Sequence, residues 1–148
     1  MVAKRTHGAD RDFTSLILLS NSFYRQKFGE AMDYYEQFNT VDTIGHAVVI
    51  YQDDAPVACG CLRQHDERSV EIKRMYVLSD RRNQGLATAV LKELEQWAKE
   101  LGFKSSVLET SISLAEAVNL YRKNGYEQID NYGPYVGIET SVCLKKDL

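Results

Sequence analysis

Proline and cysteine are both scarce in this 148-residue chain, at two and three residues. With nine glycines and 44% hydrophobic residues, the composition excludes a disordered tail, a collagen-like fibre and a disulfide-stapled mini-protein. No charge of one sign dominates. Eighteen Lys and Arg stand against 21 Asp and Glu, for a formal net charge of -3. General nucleic-acid binding needs a basic stripe, so none is expected. Long apolar runs are missing too. The longest aliphatic stretches are Leu16-Ile-Leu-Leu19 and Ala47-Val-Val-Ile50, far short of the ~20 residues that span a bilayer. Residues 1–15 lack the apolar stretch of a signal peptide. The expectation is a soluble, cytoplasmic protein with no membrane partner. Its length suits one domain over residues 1–148, at roughly 150 residues per domain, and a chain of this size buries about 68–70% of its unfolded surface.

Cys59 and Cys61 flank Gly60 in an apolar segment. Their spacing is not that of a CxxC zinc or redox site, and alternate residues of a strand share one face. They read as small apolar fillers, as does Cys143. His7, His46 and His65 form no HxxxH pair. No metal site is expected.

The spacing of Phe13, Leu16, Ile17, Leu19, Ser20, Phe23 and Tyr24 predicts a helix over 12–28, with Asp10 or Asp12 as its cap. Residues 30–40 read as a second short helix or an aromatic loop. Strands follow at 46–51, 56–63 and 70–78, joined by two short polar turns, which makes an antiparallel meander. Residues 85–101 form a strongly amphipathic helix ended by Gly102. A strand at 105–110 then completes a parallel pair through a right-handed crossover. A helix at 113–124, a short strand at 126–129, a loop at 130–137 and a last strand at 140–145 complete the chain. Residues 2–6 show no regular strand pattern. The fold class is α+β: a mixed, mostly antiparallel sheet flanked by helices, with one parallel strand pair.

Candidate chemistry gathers where the third strand of the meander meets the long helix, in Val77-Leu-Ser-Asp-Arg-Arg-Asn-Gln-Gly-Leu-Ala-Thr88. The free N–H groups of a first helical turn carry partial positive charge. Gly85 and Ala87 let an anion approach them closely, and a pyrophosphate is the natural guest. The segment is neither a Walker loop nor a dinucleotide GxGxxG. The alternative is a tight strand–helix turn with solvated arginines.

Arg82-x-x-Gly85-x-Ala87, placed after the strand Glu71–Val77, resembles the acetyl-CoA signature (Q/R)xxGx(G/A) of the GNAT N-acetyltransferases. Asn119-Leu-Tyr121 followed by Gly125-Tyr126 resembles the helix and turn that come next in that family. The likeness covers about residues 45–148. The segments Asn131–Gly137 and Ser141–Lys145 are similar to those of small bacterial members of unassigned substrate. Ala87 stands where many members have glycine, an allowed variant.

The resemblance implies the GNAT fold, in which the parallel pair splays and the pantetheine arm of acetyl-CoA pairs with the backbone of Met75, Tyr76 and Val77. It implies that the pyrophosphate lies on the amides of Arg82, Asn83, Gln84, Gly85, Leu86, Ala87 and Thr88. Arg81, Arg82 or Lys123 would meet the remaining charge, Asn119 would bond the arm, and an N–H near Met75 would hold the thioester oxygen. The implied reaction is acetyl transfer to a primary amine of a small molecule or amino acid. An alkyl amine is mostly protonated at neutral pH, with a pKa of about 10.4 for lysine, so a base is required. Glu71 is the preferred base and Glu109 the alternative. Either could instead be a carboxylate paired on a solvated face. Tyr121 matches the family's usual acid toward the leaving thiolate, though its position on an apolar stripe also suits a core residue.

For the acceptor, the resemblance points to the first helices and the loop before the last strand. Tyr34, Tyr35, Glu36, Phe38, Tyr132 and Tyr135 would form the pocket, with Asp33 and Glu36 able to hold a cation. The same aromatics also suit a lid or a homodimer contact. Two rival functions remain at this stage. One is a non-catalytic acetyl-CoA-binding module that regulates a protein partner. The other is a nucleotide-binding α/β module, disfavoured by the antiparallel first half, since such modules are largely parallel.

Overall fold

The computed structural model describes residues 1–30 and 44–148. Asp33, Tyr34, Tyr35, Glu36 and Phe38 lie outside the described residues, as does the expected 30–40 element from residue 31 onward. The described elements are β1 (Val2–Thr6), α1 (Arg11–Phe28), β2 (His46–Gln52), β3 (Ala55–Gln64), β4 (Ser69–Val77), a 3-10 turn (Ser79–Arg81), α2 (Leu86–Glu100), β5 (Ser105–Ser111), α3 (Ala115–Lys123), β6 (Glu127–Ile129), a 3-10 turn (Gly133–Tyr135) and β7 (Ser141–Asp147). The strands form one sheet in the order β1-β2-β3-β4-β5-β7-β6. β4 and β5 are parallel, while β1–β2, β2–β3, β5–β7 and β6–β7 are antiparallel. Among the described residues, no helix is long and apolar enough to cross a membrane.

The chain divides into two compact units, Met1–Arg63 with Lys73–Leu94, and Gln64–Ile72 with Glu95–Leu148. In the first, β1 is the element that sequence pattern does not anticipate. Val2-Ala-Lys-Arg-Thr6 has two adjacent cations and leaves most of its side chains exposed. It therefore lacks the apolar alternation that marks a half-buried strand. Backbone pairing with β2 forms it, in a register from Val2↔Tyr51 to Thr6↔Ala47.

Asp10 caps α1. Its Oδ1 accepts from the N–H groups of Asp12 and Phe13 at 2.9 and 3.0 Å, and its Oδ2 from Lys4 Nζ and Thr6 Oγ1 at 2.8 and 2.9 Å. Burial alone would raise this carboxyl, but the bonds from Lys4, Phe13 and Thr6 prevail and hold its pKa at about 2. The capped helix lays Phe13, Leu16 and Ile17 on Ala47, Val49, Cys59, Cys61 and Tyr76. Cys59 and Cys61 are thus the apolar fillers expected, with Sγ donating to Arg74 O and Lys73 O. Gly60 between them permits a close approach. A Cβ there would stand 2.7 Å from Met75 Sδ and 2.8 Å from Val90 Cγ1, so a larger residue would push on both β4 and α2.

In the second unit three residue pairs join the parallel strands, Ser69↔Ser105, Val70↔Ser106 and Glu71↔Val107. β5 pairs β7 along its whole length, from Ser105↔Asp147 to Ser111↔Ser141. A buried polar network lies beneath. Tyr126 Oη donates to Glu95 Oε2 at 2.9 Å and bonds Ser106 Oγ at 2.8 Å. Lys146 Nζ meets Glu95 Oε1 at 2.9 Å. Glu95 is thereby paired as well as hydrogen-bonded, which a buried carboxylate requires.

Candidate active site

The turn from β4 into α2 belongs to the first unit. Gly85 holds φ +78° just before the first helical residue, Leu86, and no atom lies within 4 Å of where its Cβ would be. Asn83 also takes a left-handed conformation, at φ +63°, which asparagine tolerates better than most residues. The first intrahelical bond runs from Ala89 N–H to Gly85 O. The preceding amides of α2 therefore have no acceptor within the helix. Arg82, Asn83, Gln84 and Gly85 are exposed and Ala87 is half-buried. This is an open, small-residue approach to a helix start, as the sequence pattern led one to expect.

The two arginines before it are not simply solvated. Arg81 Nη1 donates to Gln52 Oε1 at 2.9 Å. Arg82 Nε donates to Val77 O at 3.2 Å, and its guanidinium carbon lies 4.4 Å from the centre of the Phe23 ring. Upstream on β4, Arg74 has φ +60°. A non-glycine residue at positive φ within a strand breaks the regular pleat, immediately before Met75, Tyr76 and Val77.

Glu71, Glu109, Asn119 and Tyr121 belong to the second unit. Glu71 is buried, at 8% exposure, and its Oε2 accepts from Tyr132 Oη at 2.6 Å. Burial first, then the Glu71 charge and this hydrogen bond, push the Tyr132 phenol far above its ordinary range. Its ring meets those of His65 and Tyr135 edge-on, with centroids at 4.6 and 5.7 Å. Glu109 Oε2 accepts from Ser141 Oγ at 2.6 Å. Cys143 shares these surroundings. Its thiol is pushed up by burial, against a bond from Tyr132 N–H, with the charges of Glu109 and Glu71 adding to the rise. Tyr121 is buried, with its ring edge-on to Tyr126 at 5.8 Å. Asn119 is exposed on α3.

Tyr132 thus reaches Glu71 rather than serving only as a pocket wall. Asn131 is a residue that sequence reading missed. Its side-chain amide donates to the carbonyls of Tyr135, Ile138 and Ser141 at 3.1, 3.1 and 3.2 Å, organising the loop that carries Tyr132. The one available signal was an asparagine opening a loop with two glycines and a proline, where side-chain-to-backbone bonding is common. Phe23 is another. Its helical spacing marked it as core, and nothing in the pattern linked it to Arg82. Among the described residues no group of three or more His, Cys, Asp or Glu is placed to hold a metal.

A sequence model of the Acetyltransferase (GNAT) family matches residues 13–126. The chain belongs to that family. A Xenopus tropicalis protein named "Probable N-acetyltransferase 14" is 39% identical over 105 residues, covering 68% of this chain and 49% of that one. A Klebsiella pneumoniae crystal structure described as an acyl-CoA N-acyltransferase superposes with a TM-score of 0.80 at 26% identity, covering 99% and 97% of the two chains. A GNAT family acetyltransferase from Elizabethkingia anophelis, with acetyl-CoA bound, gives a TM-score of 0.71 at 20% identity, covering 99% and 97%. The fold is therefore the GNAT acyl-CoA N-acyltransferase fold. The chain spans about half to three-fifths of the length of several curated relatives it matches, and about 30% of others.

Proposed function

We propose that this GNAT protein transfers the acetyl group of acetyl-CoA to a primary amine of a small molecule or amino acid. The observation that carries this reading is the β4–α2 turn, where Gly85 has open space at its Cβ position and left-handed backbone. Those features fit a pyrophosphate laid on the amides of Arg82 to Thr88. The backbone of Met75, Tyr76 and Val77 would hold the pantetheine arm, and Asn119 would bond it.

Acetyl-CoA supplies an acetyl group already activated as a thioester. The chain's residues manage protons and charge. Glu71 accepts a proton from the ammonium so that its nitrogen can attack, forming the C–N bond as the C–S bond breaks. The Met75 N–H donates to the acetyl oxygen as charge builds there. Tyr121 gives its proton to the departing thiolate, a modest demand because a free thiol has a pKa of about 8.5, and the second proton lost by the newly acylated nitrogen returns the phenolate to the phenol. The products are an N-acetyl amine and coenzyme A, formed by direct attack with both substrates bound. A panel of amino acids, polyamines and aryl-alkyl amines incubated with acetyl-CoA, with free thiol as the readout, tests the assignment. Amine-dependent thiol release supports it. Tight acetyl-CoA binding with no release across the panel would indicate a non-catalytic regulatory module instead.

A further inference from the structure

We propose that Phe23 on α1 is the positioning residue for Arg82, carrying its guanidinium so that the Nη edge meets the pyrophosphate of acetyl-CoA. The inference rests on the acetyl-CoA reading above and adds a residue about 60 positions from the signature.

Two contacts define the guanidinium. Its carbon stands 4.4 Å over the Phe23 centroid and 5.9 Å from that of Tyr76, and its Nε donates to Val77 O at 3.2 Å. A planar group with one face on a ring and one N–H on a fixed carbonyl has little freedom left. The Nη edge is thereby given a direction, and it makes no hydrogen bond among the described residues. Arginine suits such a place because its fork can meet phosphate oxygens in pairs. Otherwise an exposed arginine would sample many rotamers, and each binding event would have to order it.

The platform is itself held. Phe23 lies edge-on to Tyr24 at 5.0 Å and 6.2 Å from Tyr76, while Tyr24 stacks on Phe28 at 6.1 Å. The fully buried residues of α1 are Phe13, Leu16, Ile17 and Ser20, while Phe23 is partly buried and packs against the same core cluster, which includes Tyr76. A cation over an aromatic face is attracted by the ring quadrupole. Leucine in place of Phe23 would keep apolar bulk and remove that attraction.

The experiment is calorimetric titration with coenzyme A of the wild type and of the Phe23→Leu, Phe23→Tyr, Arg82→Ala and Phe23→Leu/Arg82→Ala variants, each checked for folding by circular dichroism. Phe23→Leu is expected to weaken binding by about 3- to 10-fold, the range of a partly desolvated cation–π contact. Phe23→Tyr, which keeps a ring, should restore it. In the Arg82→Ala background the leucine should have no further effect, because its target is gone. If Phe23→Leu does not fold, Phe23→Met takes its place. Unchanged affinity in a folded variant, or a full loss retained without Arg82, would overturn the proposal. A wild type that does not bind coenzyme A defeats the acetyl-CoA reading itself, a result distinct from either.

Discussion

The Tyr132 hydroxyl donates to Glu71 Oε2 at 2.6 Å in a part-buried setting beside the His65 and Tyr135 rings. The phenol is held far above its ordinary pKa, by burial first and then by the carboxylate. Tyr132 therefore stays protonated and remains the donor in this bond. One carboxylate oxygen is anchored, which fixes where the other can point. Removing only the hydroxyl, with Tyr132→Phe, should lower turnover by about 10-fold while the ring contacts to His65 and Tyr135 persist. Steady-state rates with acetyl-CoA and an amine found active in the panel would show it. Glu71→Gln should cost more at neutral pH, and its deficit should shrink at high pH, where the amine arrives neutral. An equal deficit at every pH would point instead to Glu109 or to a base supplied by ordered water.

What the sequence disclosed follows from what side-chain pattern can encode. α2 was legible because Leu86, Val90, Leu91, Leu94 and Ala98 recur at helical spacing, and they are buried. The open helix start after β4 was legible because glycine and alanine there have a direct steric meaning. β1 was not, since an exposed strand held by backbone pairing has no apolar signature. Nor was the Tyr132–Glu71 bond, which joins residues 61 positions apart through a loop whose path depends on Asn131. The positive φ of Arg74 had no glycine to announce it. Each of these is a tertiary fact, fixed by neighbours that local composition does not name.

Asp10 links stability to pH. Its pKa is held at about 2 in the folded chain, against roughly 3.9 for an unperturbed aspartate. A depressed carboxyl stabilises fully above the unfolded value, and the contribution is lost as pH falls from about 4 toward 2. Asp10→Ala should destabilise by about 1 kcal/mol or somewhat more at neutral pH, the usual cost of losing an N-cap. The gap between variant and wild type in urea denaturation should narrow below pH 4. A gap that stayed constant to pH 2 would show that the carboxylate's charge is not what stabilises α1.

Gly85 is the position where the backbone conformation and the proposed pyrophosphate site make the same demand. At φ +78° any side chain is strained, and valine, branched at Cβ, most of all. Gly85→Ala should cost about 1–2 kcal/mol of stability through this conformation. The space around it is empty, so no packing clash adds to the loss. The second effect is on binding. In the wild type, saturating acetyl-CoA should raise the melting temperature by mass action. That rise should be much reduced in Gly85→Ala and absent in a folded Gly85→Val, because the Cβ stands where the pyrophosphate approaches. An undiminished rise in both variants would dissociate this turn from the cofactor.

Tyr121 presents the sharpest choice between packing and chemistry. It is 6% exposed and meets Tyr126 edge-on at 5.8 Å, contacts made by the ring. Tyr121→Phe keeps that ring and deletes one hydroxyl, so the fold and the ring pair should survive. If the hydroxyl protonates the departing thiolate, turnover should fall by roughly 10²-fold with acetyl-CoA affinity nearly unchanged, the mark of an interaction made during reaction rather than on binding. The loss should also depend on the leaving group. A thioester of a more acidic thiol departs without help, so an acetyl thioester of an aromatic thiol should restore much of the lost rate. A folded Tyr121→Phe enzyme with full turnover on acetyl-CoA would leave the tyrosine as a core residue. A loss of the same size for both thioesters would mean that the hydroxyl acts on binding or orientation and does not supply the proton.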